Sequence, residues 1–198
     1  MPFLKEQVQI VNDALIGLVF NDARFKSGRF ETLATDVSRK ESDGSIKTFP
    51  AVMNENYEAI EITPDDTYPI VIYHKAVEKV YEPDKFQAGD TQRYQVERSI
   101  VKMVVYGKYA ALKLTKEQLE ALITSNFPDQ IPASKIQPLK LDNMTVTLRT
   151  SNLNTAQVFS EEYKGYPLFL APEDILFSVK YSIDTKFRKG CIKVCDCN

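Results

Sequence analysis

Apolar residues recur at two spacings along this chain. Leu4, Val8, Val11, Leu15 and Leu18 step by three and four, with Lys5, Gln9, Asn12 and Asp13 between them, so residues 4–19 predict an amphipathic helix. In residues 175–187 the step changes to two. Ile175, Phe177, Val179, Tyr181 and Ile183 share one face against Ser178, Lys180, Ser182 and Asp184, the mark of a half-buried strand. Between them lies the longest strand-like tract, residues 68–106. With a turn near Phe86 to Ala88, Ile70, Val71, Ile72 and Tyr73 fall opposite Ile100 to Val104, and Lys75, Glu78 and Lys79 opposite Gln95 to Ser99. A ribbon of that length rises roughly 45 Å, more than a chain of this size needs to cover its own core. Its outer half is therefore expected to contact other subunits. Ala76, Val77, Val80 and Tyr81 also fit a helical face, an alternative that would shorten the ribbon.

Weaker signals fill the rest. Residues 21–48 are polar, with Ser27-Gly28 and Asp43-Gly44 as turns and Phe25, Phe30, Leu33 and Val37 as anchors, and are expected as an insertion of loop or short irregular strands. Two short apolar runs, 49–53 and 57–62, precede a turn at Pro64-Asp65-Asp66. Thr115 stands three residues before Gln118 and opens a second helix with Leu119, Leu122 and Ile123 on its buried side, ended by Asn126 and Pro128. Residues 139–150 alternate as a strand, and residues 157–159 and 166–170 add short apolar runs. The predicted fold is one α+β domain over residues 1–198, an antiparallel sheet with a long hairpin arm at 68–106 and two helices packed on it.

The 198 residues suffice for a core without metal or disulfide support, and 25 basic against 27 acidic side chains give no bulk attraction for nucleic acid or anionic lipid. No stretch reaches the roughly 20 apolar residues of a membrane span, and the charged N-terminal helix is unlike a secretory signal, so folding in a cytosol is expected.

Candidate chemistry is sparse. His74 is the single histidine, flanked by Ile72, Tyr73 and Ala76, and is expected to pack or to lie at the surface rather than catalyse. Cys191, Cys195 and Cys197 crowd the last eight positions without a C-x-x-C and are expected as reduced thiols; zinc held by the three with His74 has an unusual spacing. The seven glycines form neither phosphate-binding signature. Asp129, Glu162 and Lys164 imitate the carboxylate and lysine set of a metal-dependent nuclease, but Asp129 follows a helix terminator and Glu161-Glu162 reads as a solvated turn. Glu58, Glu61, Asp65 and Asp66 are read as an exposed turn in preference to a cation site. Arg24, Lys26 and Arg29 with Phe25 and Phe30 outline a nucleic-acid module, diluted by Asp22, Glu31 and Asp36. No enzyme, cofactor or metal function is expected.

The N-terminal helix, the Tyr68-Pro69-Ile70-Val71-Ile72 strand entering a hairpin, the interposed helix at 115–124 and the closing strand at 175–187 together resemble tailed-phage tail terminator or head-tail connector proteins. The resemblance is architectural, covers most of the chain to Phe187 and transfers no functional residue. It implies a virion subunit made in the host cytoplasm, forming a ring, commonly six-fold, that joins tail tube to neck or portal and meets nucleic acid only as the passing genome. In that setting Lys75, Glu78, Lys79, Tyr81, Phe86, Arg93, Tyr94, Glu97 and Arg98 are the candidate subunit interface.

Overall fold

The computed structural model describes residues 2–64, 67–85 and 94–188. Helix α1 (Pro2–Leu18) is followed by strands β1 (Arg29–Lys40), β2 (Ile46–Met53), β3 (Ala59–Glu61), β4 (Ile70–Lys85) and β5 (Tyr94–Gly107). Helices α2 (Tyr109–Leu112), α3 (Lys116–Ser125) and α4 (Ala133–Ile136) come next, then β6 (Asn143–Asn152), α5 (Thr155–Glu162) and β7 (Ile175–Arg188). The seven strands form one sheet in the order β3-β2-β1-β4-β5-β7-β6, antiparallel except for the β1–β4 pair.

Strand alternation sorts the core onto the two faces of this sheet. Ile70 and Ile72 of β4, Val101, Met103 and Val105 of β5, and Phe177, Val179, Tyr181 and Ile183 of β7 look toward Leu4, Val8, Val11 and Leu15 of α1 and Leu119 and Ile123 of α3. Val71 and Tyr73, Val104 and Tyr106, and Leu176 face the other way, against Val158 and Phe159 of α5 and Tyr163. Thr115 and Gln118 close a capping box on α3.

Three expectations change. Residues 21–48 are not a loop insertion: they hold β1 and the start of β2, and β1 runs beside β4. A register shift between Phe30 and Leu33 breaks the alternation that would have marked this strand. Residues 157–159 belong to helix α5, whose cap Asn154 accepts a hydrogen bond from the Gln157 backbone at 3.0 Å.

The third change concerns residues 68–106. The segment at 76–81 is strand, and β4 pairs β5 from Ile70 opposite Gly107 to Lys85 opposite Tyr94; Lys79 falls opposite Ser99, within the expected range, but Lys75 falls opposite Lys102 and Glu78 opposite Ile100. This register lies further out than expected. β4 carries one extra residue at Val77 and another between Glu82 and Lys85, and β5 must also match β7 from Gly107 opposite Ile175 to Tyr94 opposite Arg188. Because β7 flanks the outer half of β5, that half is sheet interior and not a free arm. The turn expected at 86–88 lies outside the described residues.

Candidate functional site: an open strand edge, a cleft and the ion network beneath them

Strand β1 divides its loyalties. Its first half pairs β4 as far as Ala34 opposite Lys75, and its second half, from Thr35 to Lys40, pairs β2 alone. The two strands therefore part at Lys75. Beyond it, no described strand pairs with the β1-side edge of β4. The parting opens a cleft of about 670 Å³ lined by Leu33, Ala34, Val52, Met53, Tyr57 and Ala76, with Lys5, Asp36 and Lys75 as its charges. Outward from the cleft, the β4 edge exposes Val77 (50%), Val80 (40%) and Tyr81 (56%), and Tyr57 at the cleft mouth is 85% exposed. Apolar groups along an unpaired strand edge form a template for another chain.

Below the cleft the charges are spent internally. Lys75 of β4 and Lys102 of β5 stand directly opposite on one face, an arrangement that costs energy in a sheet. Glu162 lies three and four residues after Phe159 and Val158, so it follows the buried side of α5 onto this pair. It is fully buried, 3.0 Å from Lys75 Nζ and in contact with Lys102 Nζ, and its Oε2 accepts from the Tyr73 hydroxyl at 3.1 Å. Asp36 takes Lys75 at 2.6 Å and Glu161 takes Lys102 at 3.3 Å at the exposed rim. Burial alone would lower the Lys75 ammonium, but Glu162 and Asp36 outweigh it and raise its pKa. Burial, reinforced by Tyr163 and Glu162, pushes the Tyr73 phenol well up. A carboxylate fully buried between two ammonium groups and a phenol is closed to a substrate; it fastens α5 to the sheet. The solvated turn expected at Glu161-Glu162 is thus the end of α5, with Glu162 buried and Glu161 at the rim.

Of the expected interface residues, Lys75 is committed to this network and Glu97 is buried in a 2.8 Å pair with Lys79. Arg98 makes two hydrogen bonds to Asp184, at 2.7 and 2.9 Å. These cations and the acid were expected to face a neighbour, yet β4 lies beside β5, β5 beside β7 and α5 over β4, and the side chains so brought together pair with one another. Glu78 and Tyr81 remain exposed. Phe86 and Arg93, and the side chain of Tyr94, lie outside what is described, as do Cys191, Cys195, Cys197, Asp65 and Asp66.

The remaining candidates do not gather into sites. His74 is fully buried with Nδ1 2.9 Å from the Tyr181 hydroxyl, and burial lowers its pKa to about 3. Glu162 sits on the α5 face, while Phe127, two residues before Asp129, packs at a tilt against Tyr181 of the opposite face, so the nuclease-like set is divided by the sheet. The Lys164 backbone carbonyl bonds Thr48 of β2. Phe25 is fully buried and packs with Phe20, itself against Phe30, so these rings are not a base-stacking platform. Arg24 is held by Asp22, and Arg29 by Glu31. Glu58 bonds Asn54, and Glu61 lies 3.6 Å from Arg39. Among the described residues no group of three or more His, Cys, Asp or Glu is placed to hold a metal, and no described helix is long and apolar enough to cross a membrane. No protein-family model matches the chain, and no curated protein matches it significantly in sequence.

Proposed function

We propose that this protein is a structural assembly subunit that builds a ring, and that the ring is the tail terminator or head-tail connector of a tailed phage. The observation that carries the assembly reading is the β4 edge beyond Lys75, which exposes Val77, Val80 and Tyr81 beside an apolar cleft. Such an edge in a protein that stayed alone would invite unregulated pairing, whereas in an assembly it is covered. The phage assignment is supported by element order: helix, paired long strands, helix, closing strand. The internal use of Lys75, Lys102, Glu162 and His74 favours scaffold over catalyst. Light scattering of the purified chain at micromolar concentration is expected to give a closed oligomer, and co-sedimentation with tail-tube or neck protein to retain it. A strict monomer that binds neither would refute the proposal.

A further inference from the structure

Deepening that assembly reading, and resting on it, we infer that the junction joins two copies head to tail: the outer edge of β4 in one copy, 77–81, seats in the β1/β4 cleft of the next.

Both halves of the junction are on one molecule and cannot meet within it. Tyr81 stands five positions beyond Ala76 of the cleft wall along the same strand, about 16 Å away at 3.3 Å per residue. An edge that cannot reach its own cleft and fits that of another copy makes a heterologous contact, which propagates into a ring or a filament.

Charge decides between this arrangement and a two-fold one. In antiparallel pairing, directly opposed residues share a face, so a two-fold pair of β4 edges is centred on a residue. Centring on Glu78 sets Glu78 against its own copy, and centring on Lys79 opposes two lysines. Both of these symmetric registers oppose like charges, a destabilising arrangement. The cleft offers the complement instead. Its Lys75 is already neutralised by Glu162 and Asp36, but Lys5, exposed on α1 at the rim, has no ion partner among the described residues. Glu78, exposed between Val77 and Val80, likewise has none. Seating Val77, Val80 and Tyr81 against Leu33, Val52, Met53 and Tyr57 brings together an acid and a base that have no ion partner among the described residues, with the apolar contacts supplying most of the affinity.

The test uses the full-length chain and four surface substitutions, each checked for unchanged far-UV circular dichroism and Tm. Glu78→Lys and Lys5→Glu alone are each expected to raise the half-assembly concentration by about tenfold, and the double variant to recover most of that loss. Val80→Asp disables the inserting edge and Met53→Asp the receiving cleft, so each alone is expected to be monomeric. Mixed in equal amounts they retain one intact junction per pair, and a 1:1 dimer that does not grow is expected. Wild-type assembly unaffected by these variants would overturn the junction while leaving the assembly reading in place. A monomeric wild type would remove both. Loss of assembly with Val80→Asp but not Met53→Asp, and no dimer on mixing, would replace the head-to-tail contact by edge-to-edge pairing.

Discussion

Replacing Glu162 by glutamine removes one charge from a buried ion network and almost nothing else. The amide keeps the volume and still accepts from the Tyr73 hydroxyl. What it leaves is Lys75 directly opposite Lys102, their side chains 13% and 12% exposed, with Asp36 and Glu161 as partners at the rim. Breaking a buried pair typically costs about 3–5 kcal/mol, and the two surviving partners bring the expectation here down to about 2–3 kcal/mol. For a chain of this length that is a Tm lower by about 5–10 °C, and a proportionate fall in the urea midpoint at unchanged m-value. A control separates lost pairing from lost packing. Tyr73→Phe, Lys75→Met, Lys102→Met and Glu162→Leu together replace the network by apolar groups of similar size and are expected to lie within about 1 kcal/mol of wild type, or above it. Should Glu162→Gln alone cost less than about 1 kcal/mol, the two lysines do not depend on Glu162, and the account of what fastens α5 to the sheet is wrong.

Two further outcomes follow from single residues. Burial holds His74 at a pKa of about 3, below the 6.5 of an exposed imidazole, so between these values the unfolded chain binds the extra proton. Stability from this group is complete above pH 6.5 and falls as pH drops toward 3, by at most about 1.4 kcal/mol per unit; His74→Gln should flatten that slope in urea titrations, and an unchanged acid limb would exclude His74 as its source. Gly165, at φ +82°, would set a Cβ 2.8 Å from the Ile46 carbonyl oxygen in the turn that lays α5 against β2. Gly165→Ala is expected to cost about 2 kcal/mol, measured by thermal melting, and a change under about 0.5 kcal/mol would show that this turn relaxes freely.

Elements with an uninterrupted local period were legible residue by residue. Helix α1 announces itself in Leu4, Val8, Val11 and Leu15, α3 in the Thr115–Gln118 box, and β7 in its alternation, because each signal lies within a few turns or pleats of chain. Where the period breaks, reading failed. The irregularity at Phe30–Leu33 disguised β1, and α5 is only eight residues long, although Asn154 three before Gln157 is a cap signature that would have marked its start. The register of β4 on β5 was displaced because the extra residue at Val77 and the demands of β7 leave no local trace.

Charged residues show the limit more sharply. By itself the amino-acid sequence determined which segments seek a core and which of their faces do so, since hydrophobic burial follows periodicity. Whether a lysine meets solvent, a neighbour or a carboxylate from 87 positions away, as Lys75 meets Glu162, depends on which strands become adjacent. That adjacency spent Lys75, Glu97 and Arg98 inside the subunit. It left the open edge with Glu78 and Tyr81 to face outward, because past Ala34 the β1 strand stays paired with β2 and parts from β4.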